Sequence, residues 1–214
     1  ISLYNHKSVK VINSNIHQNY SDDGMNIKNS KFVIVNSRFI NNFADQVDID
    51  YSEGSVRSTL FKYDKEKSHK SSKYKSNNGD GLDLSGSKVV IIDNIYEGFL
   101  DKALSIGENT KVFASHNTFR NNRSAITAKD QSDVYVYNNQ YKDNKYNIEA
   151  YQKKNIFKQP NVFIINEIHS VDEIKNKSSK IFSPSSRIDS IKADGMSIFP
   201  WLSSLNWIKY TSVK

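Results

Sequence analysis

Residues 79–94 read GDGLDLSGSKVVIIDN and residues 101–119 read DKALSIGENTKVFASHNTF; the second stretch repeats the first, 22 or 23 residues further along. Each opens on a short alternating pair, Leu82–Leu84 or Leu104–Ile106, turns through a polar corner, and continues in a longer alternating run, Val89–Ile91 or Val112–Ala114. Apolar residues at every second position put one face of a strand inward and the other outward. Working outward, the run plus a small polar residue and a large apolar anchor recurs as Val9–Val11–Asn13–Ile16, Phe32–Ile34–Asn36–Phe39, Val89–Ile91–Asp93–Tyr96, Val112–Ala114–His116–Phe119 and Val134–Val136–Asn138–Tyr141. Val56–Ser58–Phe61 fits between the second and third of these, and Val162–Ile164–Asn166–His169 is a weaker last copy. Copies of the short strand stand at Met25–Ile27, Val47–Ile49, Ile126–Ala128 and Ile148–Ala150.

A repeat of about 22 residues holds two or three short strands and leaves no room for the helix that a doubly wound sheet needs between parallel strands. The pattern therefore predicts an all-β coil, a parallel β-helix of about seven rungs over residues 1–169. Val, Ile, Phe and Tyr dominate the apolar positions, as suits strands. With only 3 Pro and 8 Gly, the corners fall to Asn and Asp, which tolerate left-handed backbone. Asn19, Asn42, Asn122 and Asn144, each three residues past an anchor, read as corner residues stacked rung upon rung.

Two places break the regularity. Phe61 and Tyr96 are 35 residues apart, so an insertion (residues 62–78, KYDKEKSHKSSKYKSNN) separates rung three from rung four. Residues 170–214 lose the pattern and end in Phe199, Trp201, Leu202, Leu205, Trp207 and Ile208. They are expected to form an irregular C-terminal cap over the last rung, or a tail that binds a protein partner or a second copy of the chain. At the other end Ile1–Leu3 match Met25–Ile27, so the chain opens inside a rung, and more protein is expected upstream.

The net charge of +7 is unevenly spread. Residues 1–61 carry 6 basic and 6 acidic groups and residues 79–150 carry 8 and 10, whereas the insertion carries 6 and 2 and residues 151–214 carry 10 and 5. A near-neutral coil without a basic stripe argues against nucleic acid as the partner. There is no Cys, hence no disulfide frame or thiolate site, and no apolar run approaches the ~20 residues of a membrane-spanning helix. The five His share neither a rung nor a metal-ligand spacing.

Together with SDVYVYNNQYKDN (132–144), the two quoted stretches resemble the pectate-lyase-like superfamily of right-handed parallel β-helix proteins over roughly residues 1–170. The resemblance implies a right-handed coil and a secreted, surface or virion-borne protein that acts on carbohydrate. The repeat specifies the fold; it does not specify an activity.

The register nonetheless places side chains. Outward positions of the short strand form one file, Asn26, Asp48, Asp83, Ser105, Thr127 and Glu149, and a second, Lys28, Asp50, Ser85, Gly107, Lys129 and Tyr151. Asp48, Asp50 and Asp83 thus fall on two adjacent rungs, with the insertion re-entering just before Asp80. Clustered carboxylates can divide into the acid and the base or nucleophile of glycoside hydrolysis, so these three are the catalytic candidates. Lys129, Glu149 and Tyr151, on the same face, are candidates for substrate binding. Asp48 and Asp83 could equally be Ca²⁺ ligands; no other cofactor is indicated. The expected function is a carbohydrate-interacting domain of a larger extracellular or particle-associated protein, binding a polysaccharide on its outer face, with cleavage of the bound chain as the further expectation. The competing expectation is a non-catalytic structural or adhesive module that mediates protein assembly.

Overall fold

A computed structural model describes residues 1–20, 22–64, 79–165, 167, 169, 171–177 and 179–182. The chain winds as a parallel β-helix with three sheets, two of eight strands and one of six. Rung four shows the plan: Leu82–Ser85 lies in the first sheet, Lys88–Ile92 in the second and Ile95–Glu97 in the third. The anchor therefore has a strand of its own.

Inward side chains fill the coil in files. Val47, Ile49, Leu82, Leu84, Leu104, Ile106, Ile126 and Ile148 from the first sheet are all fully buried. The anchors of the third sheet stack face to face, with ring centroids 5.5 Å apart for Phe39–Phe61, 4.8 Å for Phe61–Tyr96, 4.9 Å for Tyr96–Phe119 and 5.6 Å for Phe119–Tyr141. These distances follow from the roughly 4.8 Å between hydrogen-bonded strands, which leaves each ring one rung of height. His169 closes the file edge-on to Tyr141 at 4.8 Å. At Gly54 an inward side chain is absent because a Cβ there would stand 2.3 Å from the Phe32 carbonyl oxygen and 2.6 Å from its ring.

The corners are held by side chains that pass hydrogen bonds along the coil. Between the first and second sheets, Ser30, Ser52, Ser87 and Thr110 each accept from a backbone N–H of the preceding rung at 2.9–3.2 Å. Between the second and third the file runs through Ser37, Thr59, Asn94, Asn117 and Asn139, and ends on Glu167, which accepts from Asn139 N and Nδ2 at 2.8 and 2.7 Å. After the third sheet Asn42 accepts from Asn19 N–H and Asn144 from Asn122 N–H, the stacked role expected of these asparagines. Buried polar groups paired in this way fix the register without stranding a donor. The small polar position of the repeat, Asn13, Asn36, Ser58, Asp93, His116 and Asn138, is left-handed throughout, with φ of 47–58°. His116 is thus a corner residue.

Within the aromatic file of the core one polar group is stranded. The Tyr96 hydroxyl is buried with no hydrogen-bond partner among the described residues, and burial lifts its pKa well above the usual value. Tyr96→Phe is expected to raise stability by about 1 kcal/mol, since an unmade hydrogen bond in the core costs more than it returns. Urea unfolding checks this, and a loss of stability would mean that the hydroxyl has a partner.

The coil also continues past residue 169. Ile174–Lys177 pairs with Tyr146–Tyr151 in the first sheet, and Lys180–Phe182 pairs with Asn161–Ile165 in the second. Strand pairing thus reaches residue 182, inside the stretch expected to form the cap or tail. The sequence there, IKNK in the first strand and KIF in the second, lacks clear alternation, but each strand still packs one isoleucine, Ile174 or Ile181, against the core. Residues 65–78 of the insertion and the aromatic-rich end, 183–214, lie outside the described residues.

Candidate functional site

The first sheet builds the outward files that the repeat predicts. Asp48 pairs with Asn26 on one side and Asp83 on the other, Asp83 with Ser105, Ser105 with Thr127, and Thr127 with Glu149. In the neighbouring file Asp50 pairs with Lys28 and Ser85, and Lys129 with Tyr151. The three catalytic candidates Asp48, Asp50 and Asp83 do come together, on rungs three and four.

They are joined by acids that the register argument missed. At the corner entering the first sheet, Asp23 Oδ1 accepts from Asp45 N–H at 3.0 Å, Asp45 Oδ1 from Asp80 N–H at 2.5 Å, and Asp80 Oδ1 from Lys102 N–H at 3.2 Å. The signal was present as an Asp three residues before each outward Asn or Asp, in Asp23–Asn26, Asp45–Asp48 and Asp80–Asp83. A carboxylate at a corner reads as a turn residue, and only the stacking turns three of them into a charged file.

So many carboxyls in one half-buried strip cannot all ionise easily. Burial first, then the charge of Asp80, pushes Asp45 up to about 8. Burial, then Asp50, Asp83 and Asp23, lifts Asp48 to about 7. Burial raises Asp80 to about 6, with Lys102 pulling against it. Asp48 is also held by Asn26, whose Nδ2 donates to Oδ2 at 2.5 Å.

Asp83 has a different setting. Lys129 Nζ lies 3.7 Å from Asp83 Oδ1 and donates to Ser105 Oγ at 2.7 Å, so the lysine side chain reaches back along the sheet to the acid. That Oδ1 is enclosed yet accepts no hydrogen bond among the described residues. Lys129 and Asp83, separate candidates in the sequence, are one unit.

Glu149 is corrected as a contact for substrate. It is 2% exposed, and its carboxylate is taken by Arg123 at 3.1 Å and Lys175 at 2.8 Å. Lys175 comes from the rung past residue 169, which the repeat did not reveal. Ser105 and Thr127 are fully buried as well, so the open part of the file is the stretch around Asp48, Asp50 and Asp83. Tyr151 remains partly exposed, with its phenol pKa raised chiefly by burial. As for the Ca²⁺ expectation, no group of three or more His, Asp or Glu side chains is disposed to hold a metal ion among the described residues.

Chemically, the strip offers a carboxyl that still carries its proton in about half of the molecules at neutral pH, Asp48, facing across one rung a carboxyl supported by a lysine, Asp83. That is an acid and a base or nucleophile on one surface.

The fold is matched by known proteins. Residues 57–183 match the family described as the right-handed β-helix region, which is more than half of the chain, and the protein belongs to that family. A comparison with curated proteins finds no match. Among solved structures, the trypsin-treated R167E form of QnrB1, a plasmid-mediated fluoroquinolone resistance protein, aligns at 7% identity and a TM-score of 0.27 over 81% of this chain and 91% of that one. Full-length QnrB1 aligns at 8% and 0.23 over 89% and 100%. Similarity at that level carries no argument about fold or function.

Proposed function

We propose that this chain is a carbohydrate-interacting β-helix domain of an extracellular or particle-associated protein, which binds a polysaccharide along the open strip of its first sheet and hydrolyses it there. One observation carries the reading: Asp48 and Asp83 oppose each other on adjacent rungs, the first protonated near neutrality and the second beside Lys129. Asp48 then gives its proton to the leaving oxygen as the anomeric C–O bond breaks and Asp83 bonds to the anomeric carbon; water deprotonated by Asp48 then hydrolyses that glycosyl ester and restores both carboxyls. Paired positions on neighbouring strands are about 4.8 Å apart, close to the roughly 5–5.5 Å between carboxyls in retaining glycosidases, so retention is the expected stereochemistry. The pectate-lyase-like character of the repeat supports carbohydrate as the substrate class.

Depolymerisation of a polysaccharide panel by wild type, Asp48→Asn and Asp83→Asn tests the proposal. Each variant is expected to lose at least a hundredfold in rate, on the order of what a positioned acid or base supplies; Asp48→Asn is expected to unfold at the wild-type temperature or above, and Asp83→Asn, which leaves the Lys129 ammonium without its anion, to unfold at a lower temperature but remain folded at the assay temperature. The wild-type rate is expected to fall as pH rises past about 7, where Asp48 gives up its proton. Activity unchanged in both variants removes this strip from consideration and leaves the competing module for protein assembly, whose expected interface at 183–214 lies outside the described residues.

A further inference from the structure

The outer face of the second sheet carries an apolar file where the first sheet carries its acids. The file runs Val33, Ser55, Val90, Phe113, Tyr135 and Phe163 across paired strands, and the rings of Tyr135 and Phe163 stack at 4.5 Å. Its middle is dry: Ser55 is 2% exposed, Val90 0% and Phe113 9%. In the neighbouring outward file Ser115 and Ile165 are buried too.

Sheet geometry alone does not bury these side chains. Neighbours along and across a strand shield the flanks of an outward residue and leave its tip in water. Ile95 shows the bare case. It stands on the same rung as Val90, at an outward position of the third sheet between Leu60 and Thr118, and is 38% exposed. Val90 has the small Ser55 on one side and Phe113 on the other and is wholly out of water, so chain from elsewhere lies over it. Two stretches are long enough to supply that cover. The insertion leaves the third sheet after Lys62 and returns ahead of Leu82 in the first, which puts it at the corner opposite the second sheet. Residues 183–214, outside the described residues, follow directly on Lys180–Phe182, the last strand of the second sheet itself.

We infer that the C-terminal segment, residues 183–214, runs back along this face as an intramolecular strap, seating the cluster from Phe199 to Ile208 on the file from Val33 to Phe163, instead of covering the end of the coil. Length permits it. Val33 is six strand spacings from Phe182, about 29 Å at roughly 4.8 Å each. Phe199 stands 17 residues beyond Phe182, enough chain to span about 56 Å when extended. Composition agrees as well. The cluster FPWLSSLNWI (199–208) carries no charge, and every charged residue of the segment lies before 195 or after 208, as burial against Val90 and Phe113 requires. Two apolar surfaces that would each be a liability in water thereby remove one another. The strap is independent of the glycan reading, and it takes the aromatic end of the chain out of reach of a protein partner.

The sequence supplies its own probe. Both tryptophans of the chain, Trp201 and Trp207, lie in the segment, so tryptophan fluorescence of the full chain reads the strap alone. The acrylamide quenching constant of the wild type is expected to be at least threefold below that of the chain unfolded in urea, and unchanged over a hundredfold dilution. Phe113→Ser, which removes the largest ring in the dry middle of the face, is expected to raise it at least twofold. The pair Ser55→Lys with Ser115→Lys is expected to do the same. Lysines at outward positions leave the coil intact by far-ultraviolet circular dichroism but cannot lie under an apolar cover, so this pair reads the strap without unfolding the rungs. Ile95→Ser with Thr118→Lys, on the third sheet, is expected to leave quenching at the wild-type value. Three results would overturn the inference: quenching of the native chain equal to that in urea, protection that neither second-sheet variant lowers, or an equal loss from the third-sheet pair. Protection that is lost on dilution while the coil stays folded also overturns it, since the cover would then be the segment of a second copy.

Discussion

Phe61→Ala is expected to destabilise the protein by about 3–5 kcal/mol, the range for truncating a buried aromatic. Phe61 is fully buried and sits between Phe39 at 5.5 Å and Tyr96 at 4.8 Å, with interplanar angles of 9° and 4°. In most cores a truncated side chain is partly replaced as neighbours settle into the space. Here each ring is tied to its own strand, and strand spacing is fixed by the backbone ladder, so the rings above and below cannot close up. The site should therefore behave as one that cannot collapse, at the upper end of the range. Urea denaturation of wild type, Phe61→Leu and Phe61→Ala measures it, with Leu intermediate because it refills part of the gap. Because rungs contact only their neighbours, the loss should fall on rungs two to four first, which hydrogen exchange resolves residue by residue. A cost below about 1 kcal/mol for Ala would contradict a rigid aromatic file.

The second large effect is a dependence of stability on pH that runs opposite to ordinary acid denaturation. Asp45, Asp48 and Asp80 stand at about 8, 7 and 6 in the folded chain against 3.8 for the free side chain. Between 3.8 and those values the folded state holds more protons than the unfolded one. Stability then falls as pH rises, and the window runs from about 4 to about 8. Glu97 does not cancel this: its desolvation penalty is outweighed by hydrogen bonds from Lys62 and Arg120, which hold it below 4.5, so its contribution is lost only at lower pH. The three carboxyls share one strip, Asp45 and Asp48 remain partly open to water and Asp80 is paired with Lys102, so the net loss between pH 5 and pH 8 is on the order of 2–3 kcal/mol rather than the full ~1.4 kcal/mol per unit of each shift. In a domain of this size that is a fall of roughly 5–10 °C in melting temperature. Asp45→Asn keeps an oxygen for the Asp80 N–H and removes a charge, so it should raise the melting temperature at pH 8, leave it nearly unchanged at pH 5 and flatten the profile. A wild-type curve that rises from pH 5 to pH 8 would exclude a half-protonated acidic strip.

Much of the scaffold behind these effects was legible from the repeat. Period two inside the strands and a period near 22 between them are sufficient to give the coil, its inward files and the outward files of the first sheet. Asp48 falls against Asp83 across the insertion because Val47–Ile49 and Leu82–Leu84 align as copies of the short strand, and one aligned pair fixes the rest of the register. It also leads from Ile16 to Tyr141 along the anchor file. Less of the site was legible. Asp23, Asp45 and Asp80 were hidden because an Asp at a corner has an ordinary explanation as a turn residue. Glu149 looked available because its file is outward, and the burial that removes it comes from Arg123 and Lys175, contributed by other rungs.

The sequence by itself thus determined the coil, because apolar periodicity is local information repeated along the chain, and every rung states it again. Only the tertiary structure decided which charges meet. A side chain such as Lys129 spans more than one rung to reach Asp83, and burial, which sets the protonation of Asp48 and Asp45, belongs to the stacked surface rather than to any residue in it.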